Sequence, residues 1–169
     1  MDSVSYYFSN DVGDIYAVRI SKISKGFLSD ATYQVLKDHN LEIWDIILIR
    51  DGWKNKVTPI QILMDISKAI ADFYLTHENA ILYFQCDDME DVPMSAIKRK
   101  NGVTVQKYRS TLFSKMFERQ MKDLALSVIN YPVFFEACDN EVFVHLLAQE
   151  KFLKYVNIIK DDVTEGYSK

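Results

Sequence analysis

The sequence predicts an α+β fold: a mostly antiparallel twisted sheet with helices packed on one face. Three observations predict it. Period-two alternation clusters toward both ends of the chain, with a hairpin pattern in each cluster. Segments with helical spacing lie between the clusters. The strand-to-helix junctions lack the glycine-rich phosphate signature of a doubly wound α/β fold, the competing architecture.

The first elements are two strands, Ser5 to Asn10 and Ile15 to Ile23, around the turn Asp11-Val12-Gly13-Asp14. Gly13 supplies the positive φ that a tight connection needs. After Lys25-Gly26 breaks the alternation, Ser29 can cap a short helix from Asp30 to Asp38. Leu41 to Arg50 is a near-continuous β-branched run of the kind found in central strands, and Asp51-Gly52 ends it. Thr58, Pro59 and Gln61 read as a capping box with proline at the first helical position. The helix they open carries two apolar stripes, one through Ile60, Leu63, Met64 and Ile70, the other through Ile62, Ile66, Ala69 and Phe73. It ends near His77, and the strand Ala80 to Gln85 follows.

Residues 87 to 104 read as a long polar loop, with Asn101-Gly102 at the tip of a small ribbon. A helix follows, with Val105, Tyr108, Leu112, Phe113, Met116 and Phe117 at i, i+3, i+4 spacing. Leu124 to Ile129 reads as either a strand or the helix prolonged. Val133 to Cys138 and Glu141 to Ala148 form a hairpin around Asp139-Asn140, and Phe152, Leu153, Val156 and Ile159 fit a last helix. One domain is therefore expected over 1–160, with 161–169 a fraying tail.

Composition narrows the function classes. The 169 residues are 49% hydrophobic and 26% charged, ordinary for a globular domain and contrary to disorder. At a net charge of −4, only a local basic patch would attract nucleic acid or an anionic membrane. Cys86 and Cys138 have no CxxC partner, which favours reduced thiols. Residues 1–5 lack the basic and apolar regions of a signal peptide, and no run of 18 apolar residues occurs. A cytoplasmic address and no membrane partner are expected.

The sequence reads as organised around Ala80 to Phe117. The apolar strand ends in Gln85-Cys86-Asp87-Asp88, where Asp87 and Asp88, with Glu90 and Asp91, offer oxygen ligands to a hard cation such as Mg²⁺. Adjacent strand residues point to opposite faces, so a solvated acidic turn is favoured and no metal ligand is assigned. Cys86 lacks a histidine in a recognisable catalytic context and reads as a buried inert thiol. Arg109 can pair bidentately with Asp87 or Asp88, as an ion pair or as a site for an anion. Lys98, Arg99 and Lys100, with Lys107 and Arg109, make a basic ribbon able to touch phosphates, although a solvated loop is favoured. HExxH, Walker A, zinc-finger and G-x-S-x-G patterns are absent.

Several of these patterns together resemble a family of small bacterial proteins known as a domain of unknown function. They are Tyr6-x-Phe8, Gly13, Tyr16-x-Val18, the stretch Thr58 to Phe73, and Tyr83…Cys86-Asp87 with Arg109-x-x-Leu112-Phe113-x-x-x-Phe117. The similarity covers roughly the first 120 residues. Here the loop is longer, and Met116 stands where that family's pattern has Trp. The resemblance implies one compact domain and no catalytic residue.

The functional expectation is a non-catalytic domain that binds a protein partner, with no cofactor and no catalytic residue. Its binding residues would be Asp87, Asp88, Arg109, Lys98, Arg99 and Lys100. Nucleic-acid binding through 98–109 is the first alternative. Metal-assisted phosphoester chemistry at Asp87 and Asp88 is the second.

Overall fold

The computed structural model describes residues 2–54, 56–86, 94–123 and 127–167. Six strands, β1 (Ser3–Ser9), β2 (Ile15–Lys22), β3 (Glu42–Asp51), β4 (Ala80–Cys86), β5 (Val128–Ala137) and β6 (Asn140–Gln149), form one sheet in the order β1-β2-β3-β4-β6-β5. Every neighbouring pair is antiparallel except β3 and β4, which run parallel. The helices are α1 (Asp30–Asp38), α2 (Ile60–Thr76), α3 (Ala96–Lys100), α4 (Val105–Asp123) and α5 (Leu153–Tyr167). The single parallel pair follows from α2, which runs back along the sheet and returns the chain to the end where β3 began.

The α+β class and the mostly antiparallel sheet hold, but the helices cover both faces rather than one. On one face α2 and α4 pack Ile66, Ile70, Phe73, Phe117 and Met121 against Val18, Trp44, Leu82 and Leu147 of the sheet. On the other, α1 and α5 bring Leu36, Val156, Ile159 and Val163 onto Ile43, Ile81, Tyr83 and Leu146. The physical reason lies in β4. Its run Ala80-Ile81-Leu82-Tyr83-Phe84 is buried throughout, so successive side chains need apolar cover on opposite sides. The same demand corrects the expected fraying tail. Val163 is buried in the second core, and α5 continues to Tyr167.

Local chemistry explains the remaining differences. Pro59 is the N-cap of α2 and no side chain caps the helix, so the expected box does not form. Gln61 instead donates to Asp65 at 3.0 Å. The expected ribbon over 98–109 is two helices. Ser95 caps α3 by accepting from the Lys98 amide at 3.4 Å. Thr104 caps α4 by accepting from the Lys107 amide at 3.3 Å. Between them Gly102 takes a φ of 75°, a left-handed turn that side-chain-bearing residues rarely adopt. In the last hairpin Ala137 faces Asn140, so the connection is Cys138-Asp139, one residue earlier than the pattern suggested. Both central residues have positive φ, 49° and 63°, as a type I′ turn requires. The expected element at 124–129 divides: α4 ends at Asp123, β5 starts at Val128, and 124–126 lie outside the described residues.

Tyr74 locks the end of α2 to the sheet. Its buried hydroxyl donates to the Ala80 carbonyl at 2.9 Å and accepts from the Gln149 amide at 3.0 Å. Burial pushes the phenol up to about 12, so it keeps its proton. Tyr74→Phe removes both bonds at once. The expected loss is about 1–3 kcal/mol, read as a lower urea midpoint at unchanged slope. A wild-type midpoint would show that this hydroxyl holds nothing together.

Candidate functional site

β3 and β4 pair over four positions only, from Glu42 opposite Ala80 to Asp45 opposite Tyr83. Beyond them β3 stays bonded to β2 as far as Asp51 opposite Ile15, and β4 to β6 as far as Cys86 opposite Phe143. The two strands therefore part in the middle of the sheet. Each strand presents half of its backbone groups to each side, and among the described residues no strand pairs with those facing the gap. Such a parting beside the carboxyl ends of parallel strands is where open sheets place ligands.

An apolar crevice fills the gap. Leu48 of β3 and Phe84 of β4 stand on its two sides. Leu63, Ile66 and Ser67 of α2 and Arg109, Leu112, Phe113 and Met116 of α4 complete the lining. It encloses about 40 Å³. It adjoins a wider groove of about 230 Å³ between α2 and α4, lined by Ile60, Met64, Lys115, Arg119 and Gln120 together with Ser67, Leu112 and Met116. Arg109, Lys115 and Arg119 are the charged side chains among these lining residues.

The loop that leads from β3 into α2 is held by a buried acid. Asp14 is fully buried just before β2. Its carboxylate lies 3.5 Å from Arg50 Nη2 and accepts from the Lys54 amide at 2.9 Å and the Asn10 side chain at 3.1 Å. The Arg50 guanidinium lies 4.1 Å from the Trp53 ring centre and 5.3 Å from that of Tyr16, and it donates to the Gly52 carbonyl at 3.2 Å. Gly52 has a φ of 91°, and a Cβ there would come within 2.9 Å of Asp14 Oδ1. Only glycine lets the loop close this tightly over the carboxylate.

A second buried polar group stands behind the crevice. His145 of β6 is fully buried, opposite Phe84 in the β4–β6 pairing. Asn130 of β5 donates through Nδ2 to Ser114 Oγ at 2.8 Å, which leaves its Oδ1 as an acceptor. That oxygen lies 2.8 Å from His145 Nδ1, so Nδ1 carries the proton and Nε2 the lone pair. Nε2 is buried and makes no hydrogen bond among the described residues. The imidazole ring sits 5.0 Å from Phe113 and 6.2 Å from Phe84, two rings that line the crevice. Burial pushes the imidazole down to about 4, so His145 is neutral at pH 7.

The residues singled out from sequence are not gathered in one place. Arg109 lines the crevice, half-buried on the first turns of α4. Lys98, Arg99 and Lys100 are exposed on α3, with Lys98 over the Tyr108 ring at 4.5 Å, and none of the three lines the crevice. Asp87 and Asp88 lie outside the described residues, and with them the proposed tie to Arg109. Cys86 is buried in the first core, as expected for a packed thiol. Among the described residues no three His, Cys, Asp or Glu side chains gather to hold a metal ion. Likewise no described helix is long and apolar enough to cross a membrane. Sequence reasoning missed Asp14, Arg50 and His145. Only the adjacency of Arg50 to Asp51-Gly52 offered a signal, since a cation at a glycine turn can reach back to a carbonyl.

Two measurements probe these buried groups. Asp14→Ala leaves Arg50 without its carboxylate and the Lys54 amide without its acceptor, at an expected cost of about 3–5 kcal/mol. Asp14→Asn, which keeps an acceptor, should lose less. Urea melts decide it, and a wild-type midpoint for Asp14→Ala would show the acid to be passive. For His145, the unfolded chain binds a proton near 6.5 that the folded chain refuses until about 4. Stability should thus be undiminished above about 6.5 and fall with pH between those values, by roughly 3 kcal/mol in all. Carboxylates contribute near the lower limit, so the informative window is pH 6.5 to 5. There His145→Gln should show a shallower slope than wild type, and equal slopes would contradict the assignment.

No family model and no curated protein matches this chain. Among solved structures it is similar to FeeM, an N-acyl amino acid synthase from uncultured soil microbes, at 7% identity and a TM-score of 0.42, over 86% of this chain and 72% of that one. That protein is an enzyme. An enzyme neighbour runs counter to the expected non-catalytic interaction domain. At that TM-score the likeness transfers no activity, substrate or residue to this chain.

Proposed function

We propose that the chain binds an amphipathic small molecule, an apolar chain ending in an anionic group, in the crevice between β3 and β4 and the groove beyond it. The observation that carries this reading is the lining. A slot walled by Leu48, Leu63, Ile66, Phe84, Phe113 and Met116 runs into a groove whose charged lining groups are all cations. The slot takes apolar surface out of water, a gain of about 25 cal/mol per Å². Lys115 and Arg119 attract a carboxylate, phosphate or sulfate at the wider end. The slot as it stands admits only the end of a chain, so the longer part of the molecule lies in the groove. Met64 and Met116 border this path, and their unbranched side chains adapt to a guest at little cost. A small molecule in a concave, apolar site thus replaces the protein partner expected from the sequence.

Octanoate is a direct probe. Its addition to the methyl-labelled chain should shift the Met116 methyl resonance saturably, with smaller movement at Met64. Lys115→Glu combined with Arg119→Glu should weaken binding about five- to tenfold, because two solvent-facing attractions become repulsions. A Met116 resonance unmoved at saturating octanoate would end this reading.

A further inference from the structure

We propose that the inner end of the molecule held in the crevice carries an uncharged hydrogen-bond donor, a hydroxyl, and that His145 Nε2 receives it. The inference rests on the crevice reading above and specifies its ligand: an ω-hydroxy acid chain rather than a plain fatty acid.

Three observations carry it. First, the tautomer is fixed. Ser114 Oγ takes the Asn130 amide proton, Asn130 Oδ1 takes the His145 Nδ1 proton, and Nε2 is left as an acceptor only. Second, that acceptor has no partner among the described residues although the side chain is fully buried. An orphaned buried acceptor destabilises a fold, so natural cores seldom hold one without use. Third, its direction is set by the sheet. β6 lies between β5 and β4, and Nδ1 points to Asn130 on the β5 side. Nε2, the ring's other nitrogen, faces away from Asn130, and the imidazole lies beside Phe84 of β4, its partner across the β4–β6 ladder. The screen between Nε2 and the slot is aromatic: Phe113, at 5.0 Å from the imidazole, and Phe84, at 6.2 Å, with their own rings 4.5 Å apart.

Phe113 is therefore the gate. It belongs to α4, whereas Phe84 is fixed in the β4–β6 pairing, so a rotation of the Phe113 ring opens the path without breaking the sheet. A neutral imidazole suits this role. It accepts a hydrogen bond from an uncharged donor and brings no unpaired charge into the core. His145 is thus a binding residue that reads one end of the chain, while Lys115 and Arg119 read the other.

The test uses the full chain with ¹⁵N-labelled histidine and labelled methionine methyls, and two probes of nearly equal length: 8-hydroxyoctanoate and 8-methoxyoctanoate. Only the first can donate. It should bind about tenfold more tightly, the worth of one buried hydrogen bond, and should move the Nε2 resonance of His145. His145→Phe should abolish the preference while keeping the Met116 methyl shift. The wild-type measurements stand alone if that variant fails to fold. If both probes move Met116 but the preference or the Nε2 shift is missing, the proposal is overturned and the crevice reading survives. If neither moves Met116, the crevice reading falls and takes this proposal with it.

Discussion

The parting of β3 from β4 beyond Asp45 and Tyr83 is the constraint on which the rest of the structure turns. A sheet that loses its central ladder must compensate with other contacts, because open backbone edges are costly in a core. This fold does so from outside inward. β3 leans on β2 along its whole length, and β4 leans on β6. Helices α2 and α4 then cover one face of the gap, and their mutual groove continues it. The crevice is therefore a product of topology. Two half-sheets, β1-β2-β3 and β4-β6-β5, share a short parallel seam among the described residues.

Polar anchors at both ends of α2 keep that arrangement in register. At the helix's C-terminal end Tyr74 ties it to the start of β4 and the end of β6. Before its N-terminal end, Asp14 and Arg50 fold the β3–α2 loop against the tip of the first hairpin. A buried ion pair stabilises little in net terms, since desolvating two charges offsets most of their attraction. Its effect here is positional. Arg50 is packed between Tyr16 and Trp53, and Asp14 is bonded to elements forty residues apart. Loop, hairpin and helix start therefore adopt one arrangement together. Removing a single partner leaves the other charge stranded, which is why such pairs specify a conformation more than they strengthen it.

The elements were legible in the sequence because they depend on near neighbours. Alternation around Gly13 and around Cys138-Asp139, the cap at Ser29 and the two stripes of α2 all act within a few residues. The β4 run also foretold burial on both sides, and so helices on both faces, although the pattern was read as one-sided cover. Arg109, singled out as an unusual cation, lines the crevice from α4. What could not be read was the site itself. Leu48, Ser67, Phe84 and Met116 are ordinary core residues in their own elements, and only the parted backbone brings them around a common space. Asp14 and Asp11 look alike in one hairpin turn, yet Asp14 is fully buried and Asp11 is exposed, because a glycine and an arginine nearly forty residues away meet only one of them. His145 interrupts an apolar alternation, and nothing local tells whether its second nitrogen has a partner.

How the crevice can admit a guest follows from which of its walls are free to yield. The strands are held by their outer neighbours, and α2 is anchored through Tyr74. Hydrogen bonds from Thr104 to Glu141 at 3.1 Å and between Ser114 and Asn130 at 2.8 Å attach helix α4 toward β5 and β6. Over the groove, Leu112 and Met116 of α4 make apolar contact, which is non-directional and tolerates small displacements. The slot therefore widens most cheaply by side-chain rotation on α4. Phe113 occupies the pivotal position, since it stacks on Phe84 in front and on Phe117 along the helix, and lies tilted against His145 behind. Its ring separates an apolar slot from an acceptor that no described residue satisfies. One rotamer change converts the first environment into the second, so the chemistry of the inner end of the site is set by a residue that itself makes no hydrogen bond through its side chain.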